Sequence, residues 1–236
     1  MKSTFLTARW ENLIMANYII DPAVLSAYIP SKTKLDTFNG NVYISLVGFN
    51  FLNTKVLGLK IPFHSNFEEV NLRFYVQHED GNTIKRGVVF IKEIVPKAAI
   101  SFIANTLYKE KYSAMPMKHL SKEKEGELQL GYYWKQKKKW NKLEATASKI
   151  PVPVNNGSEE EFIAEHYWGY SKHKETTNEY QVQHPKWEVY PLKSYSIDCD
   201  FTSLYGEKFS ILQSVQPSSV FVAKGSGISV LSKKIL

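Results

Sequence analysis

Apolar and polar residues alternate most regularly around residue 70. Val70, Leu72, Phe74 and Val76 fall on one side, and Glu69, Asn71, Arg73, Tyr75 and Gln77 on the other. A period of two is that of a β-strand, whose side chains point alternately to opposite faces. "EDGN" (Glu79 to Asn82) marks a turn,. The return strand, Gly87 to Ile94, is apolar on both faces over "VVFI", the pattern of a strand buried on both sides,. Its neighbour can then have a polar face that is partly covered. A covered polar face needs internal partners or a ligand cavity, because an unpaired buried polar group costs about 1–3 kcal/mol.

The same reading continues along the chain. Arg9 to Ile20 reads as a strand, and "DPAVLSAYIP" as a short helix with Asp21 at its N-cap, Pro22 at its first position and Pro30 beyond its end,. Asn39-Gly40 signals a tight hairpin ahead of an apolar strand,. A helix is predicted over Pro96 to Tyr108. Alternation returns over Leu128, Leu130, Tyr132 and Trp134, and another strand over Trp140 to Ser148. Ser158 and Glu161 form a capping box that predicts a helix through about Tyr170,. Tyr180 to Tyr190, Ser194 to Ser203, Phe209 to Leu212 and Val220 to Val222 read as strands. Hairpins rather than βαβ units imply an antiparallel, mainly β (α+β) fold of two packed sheets or a barrel, with a few short helices. No repeat or long linker divides residues 1–236, so a single domain is expected,.

Composition changes this picture little. Hydrophobic residues make up 43% of the 236, enough for a sizeable core,. The formal charge of +7 favours anionic partners in general terms,. Cys199 stands alone, so no intrachain disulfide can form, which fits a reducing, cytoplasmic setting,. Arg9 and Glu11 interrupt what a signal peptide would need as an apolar run, and no stretch is long enough to span a membrane,.

Recognised catalytic fingerprints are missing: no glycine-rich phosphate loop, nucleophile elbow, zinc helix or C-x-x-C,. The six histidines (His64, His78, His119, His166, His173 and His184) show no metal-ligand spacing, so neither metal nor cofactor is expected,. In "WKQKKKW" the lysines of Lys135 to Lys139, between Trp134 and Trp140, read either as a phosphate-binding patch or as the polar tip of a hairpin; the tip is favoured, and no nucleic acid is expected,. The face of Glu69, Asn71 and Arg73 offers a carboxylate, an amide and a guanidinium together; from composition alone a solvated outer sheet face with a cross-strand ion pair is favoured over a pocket,. "QHPKWEVYP" adds His184 and Trp187. Lys118, in "YSAMPMKH", would serve as a nucleophile only if burial or a second cation lowered its pKa,.

Five stretches, "RWENLIMANYIIDPAVLSAYIP", "FEEVNLRFYV", "GVVFIKEI", "FIAEHYWGY" and "VQHPKW", taken in order, resemble the YqjF-like family, domain of unknown function 2071. That family is similar to acetoacetate decarboxylase. The resemblance implies a cone-shaped antiparallel β-barrel around a mostly apolar cavity. The decarboxylase works through a lysine Schiff base in a Pro-Lys-Lys stretch, with glutamates and an arginine completing the pocket. Here the stretch reads Pro116-Met117-Lys118, which sets a methionine where the nucleophile would stand and Lys118 where its helper would be.

The resulting expectation is a barrel with an internal pocket for a small, partly apolar acid or carbonyl compound, used for binding or an unassigned reaction. Glu69, Asn71, Arg73, Tyr112, Met117, His184 and Trp187 are its candidate ligand-binding residues and Lys118 its candidate catalytic one. The alternatives are a Schiff-base lyase using Lys118, and a nucleic-acid or membrane-surface binder using Lys135 to Lys139. A homo-oligomer is compatible with the chain.

Overall fold

The computed structural model describes residues 3–101, 110–173 and 175–236. Eleven longer strands carry the fold: β1 (Thr4–Ile19), β2 (Asn41–Val56), β3 (Phe67–Asp80), β4 (Thr83–Val95), β5 (Met117–Lys124), β6 (Glu127–Gln136), β7 (Lys139–Ser148), β8 (Trp168–His173), β9 (Thr176–Gln183), β10 (Leu192–Asp198) and β11 (Ser219–Leu231). The larger sheet runs β11-β1-β2-β3-β4-β8-β9, and β9 pairs back onto β11 at Val182 and Val230, so the sheet closes like a ring. Neighbours on this path are antiparallel except β4 and β8, which run parallel where Trp168 and Gly169 meet Gly87 and Val88. A second, four-stranded sheet, β10-β7-β6-β5, covers one side.

Strand alternation makes two cores. Val70, Leu72, Phe74 and Val76 of β3 pack outward with Leu128, Leu130, Tyr132 and Trp134 of β6. The other face of the ring turns inward, onto Phe49, Phe51, Phe67, Val88 and Trp187. The close approach of the two sheets depends on Gly48 of β2. A Cβ there would stand 2.7 Å from the ring of Tyr132. Tyr132 is fully buried and donates its hydroxyl to the carbonyl of Asn12, 2.8 Å away. Asn12 sits at φ 58 within an irregular stretch of the β1–β2 ladder, a conformation that asparagine tolerates better than most residues,.

Several predicted elements form as expected. Asp21 caps the helix α1 (Pro22–Leu25) through the Ala23 amide. Asn39 and Gly40, both at positive φ, turn the chain between paired Phe38 and Asn41. Others differ for identifiable reasons. The helix that Ser158 caps, α2 (Glu159–Ala164), stops well short of Tyr170, because "WGY" is taken into β8 to complete the ring. Aromatic residues favour strands over helices, and here pairing decides. Asp198 ends β10; Asp200 then caps a helix, α3 (Phe201–Tyr205), rather than continuing a strand to Ser203. Glu207–Gln213 is a 3₁₀ turn, not a strand, and the i, i+3 spacing of buried Phe209 and Leu212 matches its three-residue period,. Of the helix predicted over Pro96 to Tyr108, residues 98–101 are helical and 102–109 lie outside the described residues.

Gly48→Ala is expected to cost about 1–3 kcal/mol, because the added methyl must displace the Tyr132 ring in a filled core. Denaturant unfolding measures this, and an unchanged midpoint would contradict the contact.

Candidate functional site

The inward residues of β3 open onto a cavity of about 160 Å³ inside the ring. A space of roughly 150 Å³ accepts a molecule the size of benzene. Most of the wall is apolar, with Phe49, Phe51, Val88 and Trp187 among its members. Its polar members converge from separate elements. Glu69, Asn71 and Arg73 come from β3 and Glu93 from β4, where it pairs directly opposite Asn71. Glu110 and Tyr112 follow β4, Tyr180 comes from β9, and His166 follows α2.

Glu69, Asn71, Arg73, Glu93 and Glu110 are all buried. Asn71 donates its amide to Glu69 Oε1 at 2.9 Å, and the Tyr112 hydroxyl donates to Glu69 Oε2 at 3.1 Å. Tyr180 donates to Glu110 Oε1 at 2.9 Å. The Arg73 guanidinium lies 5.7 Å from the Tyr75 ring centre. Burial raises all three carboxyls. Glu69 is pushed up to about 7, against the lowering effect of Asn71, Tyr112 and Arg73. Glu110 is pushed up to about 8, with the Glu69 charge adding to burial. Glu93 is raised well above the carboxylate range by burial and by the charges of Glu110 and Glu69. Buried like charges that repel one another do not all ionise together. The site therefore holds carboxyl groups able to give or take a proton near neutral pH beside the Arg73 guanidinium.

His166 lines the cavity as well. Its Nε2 lies 3.0 Å from Asp36 Oδ2, which also accepts from Arg86 Nε at 2.7 Å. Burial brings His166 down to about 4, outweighing the support of Asp36, so the ring is neutral. Burial alone would raise Asp36, but its hydrogen bonds from His166 and Arg86 hold it below the usual range. His184 stacks on Trp187 at 4.2 Å between ring centres, and Trp187 donates to Ser226 Oγ at 2.8 Å.

Nine buried side-chain polar atoms among the described residues find no hydrogen-bond partner in the protein. Six of them belong to residues that line this cavity: Trp10 Nε1, Thr54 Oγ1, Asn71 Oδ1, Arg73 Nε, Glu93 Oε2 and His166 Nδ1. Buried polar groups are ordinarily paired, so their concentration at one site is unusual for a purely structural core.

The cavity thus brings together Glu69, Asn71, Arg73, Tyr112, His184 and Trp187. It does not take in Met117 or Lys118, and their expected place in the pocket is corrected here. Both lie on β5 of the second sheet, opposite Trp134 and Tyr133 of β6. Met117 packs against the core between the sheets, and the next residue must then point the other way,. Lys118 is exposed, its ammonium 4.8 Å from the Trp140 ring and 5.2 Å from the Tyr133 ring. No lysine is among the described lining residues. Lys137 and Lys138 form the tip of the β6–β7 hairpin, and Lys139 pairs with Asp198 at 3.0 Å. No group of three or more acidic, histidine or cysteine side chains among the described residues could hold a metal ion, and no helix among them is long and apolar enough to cross a membrane.

Residues 7–227 match the profile of DUF2071, described as an uncharacterized conserved protein. The chain belongs to this family. It is similar to the uncharacterized protein YqjF of Bacillus subtilis (strain 168), with 28% identity over 182 residues, or 75% of this chain and 72% of that one. Among solved structures, an acetoacetate decarboxylase-like enzyme from Sphingomonas wittichii RW1 superposes with a TM-score of 0.66 at 14% identity, covering 99% of this chain and 94% of its own. Acetoacetate decarboxylase from Legionella pneumophila gives 0.65 at 12%, covering 99% and 88%. The enduracididine biosynthesis enzyme MppR, complexed with pyruvate, gives 0.65 at 10%, covering 100% and 91%. At such identities the likeness establishes the fold.

The carboxyl cluster predicts a pH dependence. Between about pH 4.5 and 8 the folded chain holds protons on Glu69 and Glu110 that the unfolded chain releases, so stability falls as pH rises,. His166 acts with the opposite sign, adding stability as pH rises from about 4 to its ordinary 6.5,. Above pH 6.5 the carboxyl effect is no longer offset by His166, and Tm is expected to drop towards pH 8. Glu69→Gln should flatten that drop, by on the order of 1 kcal/mol or somewhat less. An unchanged slope in the variant would contradict the burial of this carboxyl.

Proposed function

We propose that the cavity binds a small, partly apolar carboxylic acid or carbonyl compound. One observation carries the reading: six otherwise orphaned polar atoms belong to residues that line one largely apolar cavity, and a few polar groups in an apolar lining suit a small-molecule site,. Arg73 supplies the positive charge and a free N–H donor for an anionic or acceptor group,. The apolar wall would cover the remainder of the ligand. A protein of the same fold holds pyruvate, a small keto acid, and the reading assigns this chain a ligand of related chemistry.

Two features weigh against an imine mechanism. Lys118 lies on the exposed side of the second sheet, and the described lining contains no lysine. The chemistry left to the cavity is binding, or proton transfer through carboxyls that titrate near neutrality,.

Titration calorimetry with a panel of small carboxylic acids and ketones tests the reading. Arg73→Gln is expected to weaken carboxylate binding about tenfold or more, the usual cost of losing a charge-assisted contact. Lys118→Ala should leave affinity unchanged. Borohydride reduction in the presence of keto acids should trap no adduct on Lys118. Equal affinity in wild type and Arg73→Gln would remove Arg73 from the site, and an adduct on Lys118 would restore the imine reading.

A further inference from the structure

The Asp36–His166 pair narrows the ligand further, on the basis of the binding reading above. A carboxylate can only accept, so the 3.0 Å contact between His166 Nε2 and Asp36 Oδ2 places the ring proton on Nε2,. Arg86 holds the same oxygen at 2.7 Å and keeps Asp36 charged. In a neutral imidazole the other nitrogen must then be a bare acceptor. That nitrogen, Nδ1, is buried and has no partner in the protein. The ring is wedged between Tyr75 and Phe162, at 4.7 and 5.1 Å between ring centres, so it is not free to turn over. Asp36 lies outside the cavity lining and His166 is part of it.

A fixed, buried acceptor discriminates by what it lacks. A ligand without a hydrogen to donate leaves the lone pair unpaired; a ligand with a hydroxyl satisfies it. A site built to pair with a hydroxyl rejects the analogue lacking one more strongly than an apolar pocket rejects a missing methylene. Asn71 Oδ1, also orphaned, is a second acceptor of the same kind. A keto oxygen is itself an acceptor and cannot serve either. Arg73 Nε and Trp10 Nε1 are orphaned donors, and the charged guanidinium is the one suited to the acid group,.

We infer that the cavity takes a small hydroxy acid in preference to the corresponding keto acid, with Arg73 on the carboxylate and His166 Nδ1 accepting the ligand hydroxyl. The Asp36 carboxylate is a positioning group that fixes the tautomer.

The matched probes are 2-hydroxyisocaproate, 2-ketoisocaproate and 4-methylpentanoate, which share a skeleton and differ at one carbon. Calorimetry should give the hydroxy acid an affinity about tenfold or more above both others. His166→Phe, which keeps a ring between Tyr75 and Phe162, should remove that preference while the acids still bind. Because this variant could fail to fold, nitrogen NMR of wild-type His166 gives a second readout. It should show Nε2 protonated and Nδ1 bare, with Nδ1 shifting on addition of the hydroxy acid and not of the keto acid. Binding of the keto acid as tight as the hydroxy acid, or a proton on Nδ1, would overturn the inference and leave the acid-binding reading intact. Binding of none of the three would overturn both.

Discussion

Closing a sheet into a ring turns every second side chain inward, and on β3 the inward positions are Glu69, Asn71, Arg73 and Tyr75. Everything distinctive about this protein follows from that placement. Polar and charged groups removed from water must be paired, neutralised or left at a cost of a few kcal/mol each. Here all three outcomes occur side by side. Glu69 is paired by Asn71 and Tyr112, the carboxyls shift towards the neutral form, and Arg73 Nε, Asn71 Oδ1 and Glu93 Oε2 stay unpaired.

The second sheet has a different part. It seals the outer face of the ring with Leu130, Tyr132 and Trp134 and takes no place in the cavity lining. The two halves of the molecule thus divide the work. One side is packed as tightly as Gly48 against Tyr132 allows, and the other encloses space.

Much of this was legible in the sequence because a strand's period of two is unambiguous. The alternation from Glu69 to Gln77, set beside the doubly apolar "VVFI", opened the option of a partly covered polar face, although composition alone favoured a solvated one. Glu93 was there to be found by the same rule, as a lone acid at the end of that apolar strand and across from Asn71. Glu110, Asp36 and Tyr180 were not, since ring closure alone brings those distant segments together. His166 was hidden by local pattern. The Ser158 cap announced a helix through "FIAEHYWGY", and only the pairing of β8 with β9 ends it early and turns the imidazole inward. Lys118 drew attention through its neighbours in sequence, but strand direction decided where it points.

The central claim is that three buried carboxyl groups share a cavity with the Arg73 guanidinium. Carbon NMR titration of the glutamate side chains measures this directly. The account predicts that Glu69 titrates near pH 7 and Glu110 near pH 8. Titration of both near the ordinary 4.5 would mean that the inward face of β3 is wet, and the account would fail.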